Sequence, residues 1–124
     1  MTETHVPATE QLVVEVFVRN LEQSIAFYRQ LGFQPLGGPQ ENFAAFAWEG
    51  HKFFLEEVDG LPPVPEHPVC NMRIMVPDVD WYWDLAQSMG AKVLKPIADR
   101  YYGLRDFTII DPDGMGIRFG TRLD

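Results

Sequence analysis

An internal repeat constrains this chain more than any other feature of its sequence. Val13 to Leu36 reads VVEVFVRNLEQSIAFYRQLGFQPL, and Asn71 to Leu94 reads NMRIMVPDVDWYWDLAQSMGAKVL. A constant offset sets Val18 on Val76, Asn20 on Asp78, Leu21 on Val79, Leu31 on Met89, Gly32 on Gly90 and Leu36 on Leu94. The match is one of pattern, and a repeated pattern means a repeated supersecondary unit. At 124 residues the chain is one compact domain, or two half-size modules that share a core. We expect a single domain over 1–124, with modules at about 12–58 and 70–122. The connector, 59–69, holds the proline-rich run DGLPPVPEHP, which favours a stiff extended link.

Each copy reads as strand, helix, strand. Asn20 and Asp78 are short polar residues that can accept a hydrogen bond from the first free amides of a helix. Gly32 and Gly90 stand where a helix ends in a left-handed conformation. Between these limits Leu21, Ile25, Tyr28 and Leu31 share one helical face, as do Val79, Tyr82 or Trp83, Ala86 and Met89. Strand-like runs follow at Phe43 to Trp48 and Lys52 to Val58, then at Asp106 to Ile110 and Gly116 to Phe119. Glu49-Gly50-His51 and Asp111-Pro112-Asp113-Gly114 supply turns. The fold class expected is α+β: two βαβββ modules forming a curved mixed sheet, helices on its convex face and a ligand crevice on its concave face.

Strand side chains alternate between two faces. Val14, Val16 and Val18 oppose Val13, Glu15 and Phe17; Phe53 and Leu55 oppose Phe54, Glu56 and Val58. In the second half Met72, Ile74 and Val76 oppose Asn71, Arg73 and Met75, and Ile117 and Phe119 oppose Gly116 and Arg118. One face is apolar and suits helix packing. The other carries Glu15, Phe17, Phe54, Glu56, Asn71, Arg73, Met75 and Arg118, a mixture suited to a half-buried, ligand-sized surface.

Ten basic against eighteen acidic residues give a net charge of −8, which disfavours nucleic acid and anionic membranes as partners and favours a cationic ligand. No basic start or apolar leader opens the chain, and no apolar run approaches the ~20 residues of a membrane span, so a cytoplasmic protein is expected. The single cysteine, Cys70, excludes an internal disulfide and reads as a small core residue. His5, His51 and His67 fall in a tail, a turn and the connector, and read as surface residues. No nucleophile, zinc or phosphate-loop motif is present.

The segments VRNLEQSIAFYRQLGF, Val18 to Phe33, and GLRDFTIIDPDGMGIRF, Gly103 to Phe119, within a duplicated βαβββ pattern, resemble the vicinal oxygen chelate superfamily. That superfamily includes glyoxalase I, extradiol dioxygenases, fosfomycin-resistance enzymes and bleomycin resistance proteins. The resemblance implies that a metal, where there is one, takes a ligand from each of four strands, at positions that fall here on Val13, Glu56, Asn71 and Arg118. Only Glu56 is a competent ligand of the usual kind, so no metal and no other cofactor is expected.

The resemblance is thus to the branch that binds a drug without altering it, as a homodimer with aromatic and acidic crevices. It implies metal-independent sequestration of a small aromatic or cationic molecule, of the bleomycin-resistance kind. Glu15 and Glu56 would meet positive groups, Tyr101, Tyr102 and Trp48 would stack on the ligand, and Asn71 would orient a polar group. The alternative is an enzyme of the glyoxalase or dioxygenase type, with an unrecognised metal site or with Glu56 as acid/base and Arg73 or Arg118 stabilising an anion.

Overall fold

The computed structural model describes residues 3–124. The chain divides into two compact units, one up to Pro62 and one from Pro63 onward. Each unit is a four-stranded mixed sheet with a helix packed on one face, so the class is α+β, as expected.

The first unit runs α1 (Ala8–Gln11), β1 (Val14–Val18), α2 (Leu21–Leu31), β2 (Gln34–Pro35), β3 (Phe43–Trp48) and β4 (His51–Glu57). Its strands lie in the order β1-β4-β3-β2, with β1 parallel to β4 and the other pairs antiparallel. The second unit runs β5 (Asn71–Met75), α3 (Val79–Ser88), β6 (Lys92–Asp99), β7 (Leu104–Ile110) and β8 (Gly116–Arg122), in the order β5-β8-β7-β6 with β5 parallel to β8.

The helix ends behave as the repeat predicts. Asn20 Oδ1 accepts from Gln23 N at 3.0 Å and Asp78 Oδ1 from Trp81 N at 3.3 Å. Gly32 takes φ 111° and lets its own amide and that of Phe33 close on Arg29 O and Tyr28 O, satisfying two of the carbonyls a helix end leaves free. A second device is shared and was not foreseen. The first helical amide of α2, Leu21 N, donates to Glu57 Oε1 at 2.8 Å, and that of α3, Val79 N, donates to Thr121 Oγ1 at 3.0 Å. Each helix start is thereby pinned to the strand that lies beside its own leading strand.

Tyr28 anchors the first core, with its ring 5.2 Å from Phe33, 4.8 Å from Phe53 and 6.5 Å from Phe46; Leu55 is fully buried in the same unit. Ser24 completes the buried face of α2, while Ile25 is only half-buried. In the second unit Phe107 and Phe119 stack at 5.5 Å under α3, which contributes Val79 and Ala86 to the core. Trp83 meets Phe107 edge-on at 5.2 Å, whereas Trp81 is exposed.

Several local expectations are corrected. Residues 8–11 form a short helix where a tail was expected, and β6 continues to Asp99, well beyond the Leu94 at which the repeat stops. His51 opens β4 and is not in the turn. Cys70 is exposed, with its Sγ 3.5 Å from Met115 Sδ, because it lies outside the sheet, just before the edge strand β5. No helix among the described residues is long and apolar enough to cross a membrane.

Replacing Asn20 with alanine is expected to lower unfolding free energy by about 1 kcal/mol. Asp78→Ala should cost less because its bond is longer. Urea titration of the two variants against the parent checks both the cost and the ranking.

Candidate functional site

Opposite α3, the second sheet presents a face built in rows. Arg73 on β5 lies in register with Arg118 on β8, and Arg118 with Thr108 on β7; the next row runs Met75, Gly120, Asp106 and Ala98. Residues two apart on one strand share a face, so Arg73, Met75, Arg118 and Asp106 look to the same side.

Asp106 is the centre of this surface. Its side chain is 1% exposed and takes three cationic or donor partners. Arg100 Nε donates to Oδ1 at 2.8 Å, and Tyr102 Oη donates to Oδ2 at 2.6 Å. Arg118 Nε lies 3.1 Å from Oδ2 but its N–H points away from that oxygen and is left without a hydrogen bond, so that contact is an ion pair only. Arg118 also places its guanidinium carbon 5.2 Å from the centre of the Tyr102 ring.

Burial raises the Asp106 pKa, but the bonds from Tyr102 and Arg100 and the charges of Arg118 and Arg100 outweigh it and hold the carboxyl below its ordinary value. The Tyr102 phenol is raised, first by desolvation, then by its bond to Asp106 and that carboxylate's charge. The turn that carries Arg100 and Tyr102 is closed by Gly103 N donating to Arg100 O and by Arg100 N donating to Leu104 O at 2.7 Å.

A cavity of about 830 Å³ opens on this face. Arg73, Arg118 and Arg122 line it together with Tyr102 and Thr121, and Met75, Val76, Pro77 and Leu104 supply apolar wall. No carboxylate is among these residues. Arg73 and Arg122 have no acidic partner among the described residues, so the positive charge is only partly offset by Asp106 beneath. Gly120 lies between Asp106, Leu104 and Met75, whose side-chain atoms an added Cβ would meet at ordinary van der Waals distance, 3.5–3.6 Å.

The residues expected to meet a ligand therefore separate. Arg73, Tyr102 and Arg118 line the cavity. Asn71 begins β5 and lies over Gly116, where an added Cβ would fall 1.8 Å from Asn71 Oδ1; it does not line the cavity. Tyr101 is fully exposed at the tip of the turn, edge-on to Tyr102 at 5.2 Å. Glu15, Phe17, Phe54 and Glu56 lie on the first unit's sheet, with Glu15 beside Phe54 and Phe17 beside Glu56 in register. Trp48 is on the other face of that sheet, 5.2 Å from Phe33 and against Gly32, and so belongs to the packing under the end of α2. Sequence reasoning missed Asp106, Arg100 and Arg122. An acid two residues into a strand that ends in an apolar run, LRDFTII, was the available signal for the first.

The strand register also corrects the implied metal positions. Glu15 pairs with Phe54 as its repeat partner Arg73 pairs with Arg118, and Phe17 pairs with Glu56 as Met75 pairs with Gly120. The equivalent of Arg118 in the first unit is thus Phe54, and Glu56 is displaced by two residues along β4. The four positions become Val13, Phe54, Asn71 and Arg118, with no carboxylate, thiolate or imidazole. Such a donor set does not fit a divalent metal. Among the described residues no group of three or more His, Cys, Asp or Glu is arranged to hold one.

Residues 11–119 match the Glyoxalase/Bleomycin resistance protein/Dioxygenase superfamily. The chain belongs to this family. No curated protein matches the sequence. Similar solved structures include TioX from Micromonospora sp. ML1, with TM-score 0.74 and 23% identity over 90% of this chain and 98% of that one. A glyoxalase/bleomycin resistance protein/dioxygenase from Nocardioides has TM-score 0.76 and 18% identity over 99% of this chain and 88% of its own. The fosfomycin resistance protein FosX from Listeria monocytogenes has TM-score 0.70 and 19% identity over 89% and 90%. At these identities the likeness is one of fold, and function must be argued from the site.

Asp106 gives stability a defined pH dependence. Its folded-state pKa lies below its ordinary value of 3.8, so its contribution is complete above that value and is lost as pH falls through the lower folded-state value. Asp106→Asn is expected to lower unfolding free energy at neutral pH by about 1–3 kcal/mol, because Arg100 and Arg118 lose their charged partner. Urea midpoints measured from neutral pH down to about pH 3 should show parent and variant converging toward the acid end.

Proposed function

We propose that this protein binds a small organic molecule in the cavity of its second unit, without a metal, and releases it chemically unchanged. The observation that carries this reading is the Asp106 cluster. A buried carboxylate with three partners makes a rigid polar floor beneath a space of about 830 Å³, with Met75, Val76 and Leu104 as apolar wall. A few fixed polar groups within a mostly apolar recess is the usual design of a small-molecule site. Val13, Phe54, Asn71 and Arg118, at the positions where the family's metal enzymes draw their ligands, support the metal-independent part of the reading.

The cationic ligand expected from the net charge is not favoured at this cavity, since three guanidinium groups would repel it. Nor does an observation favour Glu56 as an acid or base. It lies in register between Phe17 and Phe43 on the first unit's sheet.

A thermal-shift screen of small molecules followed by fluorescence titration tests the reading. A ligand at about one hundred times its Kd is expected to raise stability by about 2.7 kcal/mol, equally with EDTA present and with Mn, Ni or Zn added. Mass spectrometry should return the ligand unaltered. Binding that disappears with EDTA, or recovery of a converted product, overturns the proposal.

A further inference from the structure

The charge around this cavity runs against the charge of the chain. Acids outnumber bases by eighteen to ten, yet the cavity gathers Arg73, Arg118 and Arg122 and no acid. Arg73 and Arg118 are directly opposed on adjacent strands, an arrangement that costs energy when nothing negative lies between the two groups. Asp106 does not discharge the set, because the same carboxylate also serves Arg100 and Tyr102. Arg118 is three-quarters buried, so water does not fully screen it, and its Nε has no hydrogen bond.

Guanidinium groups present forked, coplanar donors that match the paired oxygens of carboxylate, sulfonate and phosphonate. Met75, Val76 and Leu104 on the same wall offer surface to a carbon body. We propose that the ligand of the second unit is an organic anion, its acidic head held by Arg73, Arg118 and Arg122 and its apolar body laid against Met75 and Leu104. The proposal rests on the reading that this cavity is the ligand site. It adds that fixed guanidinium charge holds the ligand's acidic group without help from a metal.

A matched pair of dyes separates the two claims. 1-Anilinonaphthalene-8-sulfonate carries a sulfonate on an aromatic body, and N-phenyl-1-naphthylamine is the same body without it. The sulfonate is expected to bind one per chain, and more weakly as salt rises. Arg73→Gln and Arg122→Gln should each weaken it about tenfold, by loss of a charge-assisted contact, while leaving the neutral dye within about twofold. Met75→Trp, which sets a bulky ring on the apolar wall where the dye's body would lie, should weaken both dyes.

Should the neutral dye bind as tightly as the sulfonate, with neither arginine variant changing either, the anion proposal is overturned. The cavity reading then survives only if Met75→Trp still weakens binding. Dye binding that ignores Met75→Trp, or no binding of either dye, overturns the cavity reading as well.

Discussion

The second unit is organised around one buried negative charge. A carboxylate removed from water is costly unless it is paired, and Asp106 recovers that cost through Arg100, Tyr102 and Arg118. The pairing has mechanical consequences. Arg100 and Tyr102 both come from the turn between β6 and β7, so the charge fastens that turn onto β7. Arg118 comes from β8, so the same charge sets the position of a guanidinium at the edge of the cavity. Arg118 then lies over the Tyr102 ring, and the three side chains restrict one another. A ligand arriving at such a surface meets groups whose rotamers are already chosen, which lowers the entropic cost of binding.

The two units show how one duplicated framework comes to carry different chemistry. Glu57 and Thr121 occupy equivalent places and do equivalent work, each accepting the first amide of its unit's helix. Here the duplication is preserved in role, though not in residue type, because both helices need that amide satisfied. The exposed rows are not preserved. Glu15 and Phe54 in the first unit stand where Arg73 and Arg118 stand in the second, so the charge at the row's first position is inverted. What the fold demands is duplicated, and what the exposed rows carry has diverged.

Much of the framework was legible because its signals are local. Asn20, Asp78, Gly32 and Gly90 act within one helical turn of themselves, and the structure finds both caps and both left-handed glycines in place. Alternation along β4, β5 and β8 likewise predicts which side is apolar, since Leu55, Ile74, Ile117 and Phe119 are buried and Glu56, Arg73 and Arg118 are not. The site was less legible because it depends on register. The offset that carries Val18 to Val76 does not carry β4 onto β8, since the chain between helix and final strand differs in length between the units. Reading Glu56 as the partner of Arg118 required that register, and the pairing of β1 with β4 places Phe54 there instead. Trp48 failed for a related reason: its parity with Phe46 and Phe53 decides its face, not its aromatic character. Asp106 was hidden because its worth comes from Arg100, Tyr102 and Arg118, gathered from a turn and another strand.

Net charge is an equally poor guide at this scale. At physiological ionic strength an exposed charge is screened within about 8 Å, so the −8 of the whole chain governs colloidal behaviour and long-range encounter rather than what sits in one recess. Inside the recess the nearest groups decide, and these are guanidinium groups with one shared carboxylate below them. A chain can therefore be acidic as a whole and still offer a cationic recess. The two features are compatible because backbone register sets Arg73 beside Arg118 and Asp106 holds Arg118, while the acids that set the overall sign lie elsewhere on the surface.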